Sequence, residues 1–412
     1  MPDQALRTTP FGSDPGPIGS DPGEPAAESR TGILVDHELE ALFGSVIQVR
    51  PSAESIQPAQ LQPASLDLRL GERLASLRCG FLPERASVEE RLEDLAIHKE
   101  ELGPGGVVLR RGAVYLIELE EEIALEPGMV ARFNPRSTTG RCDLFCRVLV
   151  PGAARFDETP PGYSGRLWLE VVPLSFPVRL SRGDRLVQMR LSLGECALTS
   201  DELRSVHAQT PLVFHDGKAL PESQVRFDDA GALELRVGLE GREPCGWRAA
   251  DHTPVVQFNG DGVHEAREFF EPVYSTPRGR VPSTILDPSR FSIFASRERL
   301  RIPPGLAAEM LPVDVSFGEL RNNYAGFFDP GFGWKTSADG SLEQDGTPAV
   351  LEVRAHDVPF LVEDGQVFFR LRFFHTTGAP RNLYGQGRPG RSYRGQDLTL
   401  ARPFQDPGSP QP

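Results

Sequence analysis

The feature that most restricts this chain is its resemblance to itself. Leu169-Glu170-Val171 is followed by Pro177, Gly183 and Arg190, at seven, thirteen and twenty residues after the glutamate. Leu351-Glu352-Val353 is followed by Pro359, Gly365 and Arg372 at the same three distances. Upstream, ALEPGMVARF (124–133) parallels RIPPGLAAEM (301–310), which sets Pro127-Gly128 against Pro304-Gly305. A period of about 180 residues is too long for a solenoid repeat, so the pattern reads as two copies of one domain. Each copy carries strand patterning. RLVQMRLSL (185–193) puts Val187, Met189, Leu191 and Leu193 on one face and Gln188, Arg190 and Ser192 on the other. VFFRLRFF (367–374) sets Phe369, Leu371 and Phe373 against Arg370 and Arg372. Alternation with period two is the mark of a strand. The 41 glycines and 38 prolines disfavour long helices and favour short strands joined by turns. The expected fold is therefore all-β with a few short helices.

The copies are expected at 31–205 and 225–403, with a polar connector over 206–224. Residues 1–30 are rich in Pro, Gly, Ser and acid and nearly lack large apolar side chains, so burial cannot offset the entropy of ordering them. They are expected to be disordered, as is the tail 404–412. Two helices are predicted: one after an N-cap at Asp36 and stopped by Gly44, the other over 85–102.

Composition narrows the function. A net charge of −14 argues against nonspecific nucleic-acid binding but allows a local basic pocket for a small anion. No apolar run reaches the roughly 18 residues of a membrane span, and residues 1–30 lack a secretory pattern. Five cysteines at 79, 142, 146, 196 and 245 suit a reducing cytoplasm better than a disulfide framework. Cys142 and Cys146 have no second pair to complete a zinc site, so no metal ligands are expected from the protein.

The densest polar cluster is Asn134-Pro135-Arg136-Ser137-Thr138-Thr139-Gly140-Arg141. Two arginines around hydroxyls and a glycine can grip a polyphosphate through forked, permanently charged donors and exposed backbone NH groups. The same residues also make an ordinary polar turn. It is not a P-loop, whose Gly-x4-Gly-Lys-Ser/Thr pattern is missing. Glu170 sits in the apolar run RLWLEVVPL, either turned to solvent or partly desolvated; in the second case its raised pKa suits it to passing protons near neutral pH.

Taken in order, these pieces resemble deoxycytidine triphosphate deaminase of the dUTPase superfamily. They are Arg136-Ser137-Thr138 with Arg141, then Arg155 and Asp157 ahead of Pro161-Gly162-Tyr163-Ser164-Gly165, then Trp168 and Glu170. PASLDLRLGERLASLR (63–78) looks like the family's early strand. The likeness returns in the second copy as Asp329-Pro330-Gly331-Phe332 and Glu352. Tyr384, Tyr393 and Gln396 look like the family's closing tail. The resemblance implies two tandem dUTPase-like distorted β-barrels and self-association with trimer-like symmetry or pseudo-symmetry. It implies hydrolysis of dCTP to dUTP and ammonia without zinc, with Mg2+ carried on the triphosphate. Glu170 would activate water, Arg136, Ser137, Thr138 and Arg141 would hold phosphates and water, Asp157 would face the sugar or base, and Arg155 and Trp168 would also bind substrate. Asp329 and Glu352 are the second-copy counterparts. dUTP diphosphohydrolase, a combined dCTP-to-dUMP activity and a non-catalytic nucleotide binder are the alternatives. The place of Arg136-Ser137-Thr138 is filled in copy two by Val313-Asp314-Val315, whose aspartate would repel phosphate.

Overall fold

A computed structural model describes residues 30–228, 230–278, 281–311, 320–322, 326–336, 342–343, 346–386 and 397–405. Val313-Asp314-Val315, Tyr393 and Gln396 lie outside them. The first half contains α1 (Asp36–Ala41), β1 (Leu66–Leu68), β2 (Leu70–Leu77), α2 (Val88–Leu95), β3 (Ala96–Glu101), β4 (Val114–Ala124) and β5 (Met129–Pro135). It continues with the one-turn α3 (Ser137–Arg141), β6 (Leu144–Leu149), β7 (Ser164–Pro173) and β8 (Val187–Leu193). After α4 (Ser200–Gln209), the second half holds β9 (Ala232–Arg236), β10 (Gly246–Ala249), β11 (Phe270–Val273), β12 (Ser292–Leu300), β13 (Leu306–Leu311), β14 (Thr347–Ala355) and β15 (Val367–His375).

Each half is a pair of curled antiparallel sheets. In the first, one sheet runs β3-β2-β4-β7-β6, and in the other β8 lies between β1 and β5. In the second, β11-β10-β12-β14 faces β9-β15-β13. The strands following the two Pro-Gly turns pair alike: Leu193 opposes Met129 in the first half, and His375 opposes Leu306 in the second. Inward alternation builds the cores, with Phe133, Leu169 and Met189 in one and Phe294, Leu351 and Phe369 in the other. The halves also trade material. Phe269, Phe270 and Phe404 pack into the first core, where their rings meet Phe176 at 5.3–6.1 Å between centroids. Phe404 and Gln405 are thus built into the fold, contrary to the expected disorder from 404, because burying the Phe404 ring holds the chain there.

Three other local expectations change. Only Val88–Leu95 of the predicted second helix is helical, capped by Ser87. Ala96–Glu101 becomes an edge strand on β2. Asp36 begins α1, and its carboxylate accepts bonds from the backbone NH groups of Arg381 and Asn382. The stretch expected as a connector carries the last four residues of α4 and a strand, Val213–His215, that pairs with β12.

On the polar face of β8 Arg190 is buried, because the second half covers it, while Gln188 and Ser192 stay half-buried. Arg190 donates to the carbonyls of Ala308 and Phe328 at 2.8 and 2.9 Å and to Asp329 Oδ1 at 2.9 Å. Its guanidinium also lies 4.1 Å from the centre of the Phe327 ring. No helix among the described residues is long and apolar enough to cross a membrane.

Candidate active site

Between the halves lies a cavity of about 830 Å³, within the range of small-molecule sites. One wall is the turn leaving β5. Arg136 N bonds to Leu186 O and Thr139 Oγ1 to Leu186 O, so the turn is knitted to the start of β8. That leaves Arg136, Ser137, Thr138 and Arg141 on the cavity wall. Asp67, only 1% exposed, lies 3.2 Å from Arg136 Nε and 3.6 Å from Arg185 Nη1. Its pKa is raised by burial, against the pull of Arg136 and Arg185. Arg185 is lowered by burial and by the like charges of Arg136 and Arg402, while Asp67 opposes them. Cations crowded this closely favour a polyanion among them.

The opposite wall belongs to the second half. Glu352 of β14, 7% exposed, points into the cavity with Oε1 3.9 Å from Arg141 Nε. A Cβ on Gly140 would fall 2.7 Å from Glu352 Oε2, so a side chain there would push the carboxylate away from the turn. Burial pushes Glu352 up to about 8, with Arg141 lowering it and Asp143 adding to the rise. A carboxyl with that proton affinity beside a guanidinium can accept and return a proton near neutral pH. The rim carboxylates are engaged elsewhere: Asp329 with Arg190, Asp397 with Arg242 and Glu40 with Arg381. The C-terminal segment crosses behind Arg141, whose Nη1 donates to Thr399 O at 3.1 Å. Tyr384 lines the cavity beside Phe332, their rings 5.5 Å apart.

Of the residues singled out from sequence, the cavity gathers Arg136, Ser137, Thr138, Arg141, Asp329, Glu352 and Tyr384. Glu170, Arg155, Asp157 and Trp168 are not among its lining residues. Trp168 and Glu170 alternate on one face of β7, and the chain's own β2–α2 segment covers that face. Trp168 packs with Val88 and Leu92, and a Cβ on Gly80 would lie 2.3 Å from Glu170 Oε2. Burial raises the Glu170 pKa, with Arg147 opposing. Asp157 ties strands together: its Oδ1 accepts from Val148 N at 2.7 Å and its carbonyl accepts from Phe133 N at 3.0 Å. Burial lifts it to about 7, against the Val148 bond. Arg155 is exposed. Sequence reasoning passed over Asp67, Arg185 and Arg402 as site residues. The first two stood inside quoted segments, but only their convergence on Arg136 marks them.

Both halves match known proteins. Residues 30–195 match the family model of the 2'-deoxycytidine 5'-triphosphate deaminase N-terminal domain, and residues 199–404 match that of the C-terminal domain. A crystal structure of 2'-deoxycytidine 5'-triphosphate deaminase from Agrobacterium tumefaciens superposes with a TM-score of 0.74 at 39% identity, covering 84% of this chain and 99% of that one. A "dCTP deaminase" of Natronomonas pharaonis is 31% identical over 136 residues, which are 32% of this chain and 65% of that protein, just under two thirds of its length. A "dCTP deaminase, dUMP-forming" of Dictyoglomus thermophilum is 33% identical over 174 residues, 41% of this chain and 82% of that protein.

Proposed function

We propose, from the premise that this chain belongs to the 2'-deoxycytidine 5'-triphosphate deaminase family, that it hydrolyses dCTP to dUTP and ammonia in the cavity between its halves. The observation that carries the reading is the buried Glu352 carboxylate 3.9 Å from Arg141, on the wall facing the arginine-rich turn. Glu352 takes the place first given to Glu170. Its carboxylate removes a proton from water as the water oxygen bonds to cytosine C4. The carboxyl passes that proton to N3, then takes the proton of the new C4 hydroxyl and delivers it to N4, so that the C4–N4 bond breaks, ammonia leaves and the C4 carbonyl of dUTP forms. Arg136, Arg141 and Arg185 hold the triphosphate by charge-assisted bonds, each stronger than a neutral one. Guanidiniums donate hydrogen bonds to phosphate oxygens and repel cations, so Mg2+ enters as part of the substrate, held by the triphosphate oxygens that suit a hard ion.

One chain supplies both walls of this site. The five cysteines are free thiols, in keeping with a reducing cytoplasm. A second reading, onward cleavage to dUMP, draws on the "dUMP-forming" relatives and on a further carboxylate, Asp67, beside Arg136 at the phosphate end. The test is incubation of the full chain with dCTP and Mg2+, with products resolved by ion-exchange chromatography. dUTP and ammonia alone support the first reading, dUMP with pyrophosphate supports the second, and unchanged dCTP refutes both.

A further inference from the structure

Two residues beyond Glu352 on the same face of β14 stands Arg354, and two residues beyond Arg141 in the phosphate turn stands Asp143. Strand alternation puts Glu352 and Arg354 side by side. Arg354 Nη2 donates to Asp143 Oδ2 and, at 3.0 Å, to Ser175 Oγ, while Ser175 Oγ donates to Asp143 Oδ2 at 2.6 Å. Asp143 is fully buried. Its φ of +54° lies in the left-handed region that aspartate tolerates better than most residues. Turn and strand therefore meet through two ion pairs of opposite polarity, Arg141 with Glu352 and Asp143 with Arg354. Sliding β14 by two residues would set Arg141 against Arg354 or Asp143 against Glu352. Like charges so placed are unfavourable, so the charge pattern admits one register. In the first half, the residue two beyond Glu170 is Val172, which cannot form such a pair.

We propose that the buried Asp143–Arg354 pair is a positioning device for deamination, pinning the Glu352 strand of one half to the phosphate turn of the other so that carboxylate and Arg141 address the same substrate. The inference rests on Glu352 being the proton carrier. It also gives Asp143 an electrostatic role. The charged and titratable groups facing Glu352 are Arg141, the buried Cys142 thiol and Asp143 from the turn, with Arg354 beside it on its own strand. Asp143 opposes ionisation of Glu352, so neutralising it eases that ionisation.

Arg354→Met alone would leave a buried carboxylate unpaired, a change that can unfold a protein. The test therefore uses the full chain carrying Asp143→Asn with Arg354→Met, beside Arg354→Lys and Glu352→Gln. Circular dichroism and melting curves check folding, and dCTP deamination is followed across neutral and alkaline pH. The folded double variant is expected to lose about tenfold to a hundredfold in kcat, the scale of a small misplacement of a reacting group, with KM changed far less. The limb of kcat/KM that rises with pH should move to lower pH in Asp143→Asn alone, which keeps the Arg354 cation, and Arg354→Lys should keep most of the parental kcat. A folded double variant with parental kcat overturns the proposal. If the double variant does not fold, an unmoved limb in Asp143→Asn overturns it equally. Glu352→Gln separates the two layers: parental turnover in that variant defeats the functional reading itself, whereas an inactive Glu352→Gln beside a parental double variant defeats only the positioning role.

Discussion

Replacing Glu352 by Gln keeps the side chain's size and removes its charge, and the structure gives that change two opposite consequences. The carboxyl is buried, and its pKa is pushed from 4.5 to about 8, chiefly by desolvation. A folded pKa above the unfolded one means that the folded chain binds the proton more tightly. The stability this group contributes is present in full below about pH 4.5 and is lost as pH rises towards 8. Each pH unit in that window costs about 1.4 kcal/mol, so at pH 7 roughly 3 kcal/mol has been lost and above pH 8 about 5 kcal/mol. Glutamine carries no charge at any of these pH values. Urea unfolding of parent and variant at pH 5, 7 and 8.5 should therefore show Glu352→Gln increasingly more stable than the parent, by amounts of that order. The same protein should lose about 10²- to 10⁴-fold in dCTP turnover, the scale of an acid–base group. Gained stability with lost activity is the signature of a functional carboxylate held in a costly environment. A variant less stable than the parent at pH 8.5, or one that keeps turnover within tenfold, would refute the reasoning.

Three further substitutions probe the rest of the arrangement. Arg136→Ala removes charge-assisted bonds worth about 1.5–3 kcal/mol, so calorimetric affinity for dCTP should fall roughly 10- to 150-fold; unchanged affinity would contradict the phosphate role. Glu170→Gln should leave turnover near parental, because that carboxylate lies under Gly80 and outside the cavity; damage equal to that of Glu352→Gln would reverse the assignment. Phe404→Ala should destabilise the chain by about 3–5 kcal/mol in urea melts, since the ring is buried against Phe176, Phe269 and Phe270; a midpoint unchanged from the parent would mean that the C-terminal segment is not held there.

Strand content was legible because alternation is local: Val187, Met189 and Leu191 can only share a face if the segment is extended. Which strands pair around the two Pro-Gly turns was not. The arginine-rich turn was legible because its residue types converge within eight positions. What covers a face is not local. The exposed-looking stripe Gln188, Arg190 and Ser192 gives no sign that Arg190 will be buried against Ala308, Phe328 and Asp329, more than a hundred residues away. Likewise, residues 96–101 carry charges compatible with a helix, and their pairing with β2 is decided by an open sheet edge that only the tertiary fold supplies.

The same limit explains why the two glutamates were hard to rank. Both sit at one place in the repeat, on equivalent strands, and burial raises the pKa of both. Each is also met by a glycine, Gly80 at Glu170 and Gly140 at Glu352, where a side chain would collide. The difference lies in what each glycine brings. Gly140 belongs to the turn that carries Arg136 and Arg141, so its approach delivers guanidiniums to the carboxylate. Gly80 precedes Phe81 and the helix α2, whose Val88 and Leu92 pack with Trp168, so its approach delivers apolar cover. The repeat thus presents the same acid twice, and the segment that occupies the space in front of it decides which copy can meet an anion. In the first half that segment is the connection from β2 to α2. In the second it is the arginine-rich turn of the other half, so the proposed chemistry depends on contact between the halves as well as on the packing of each.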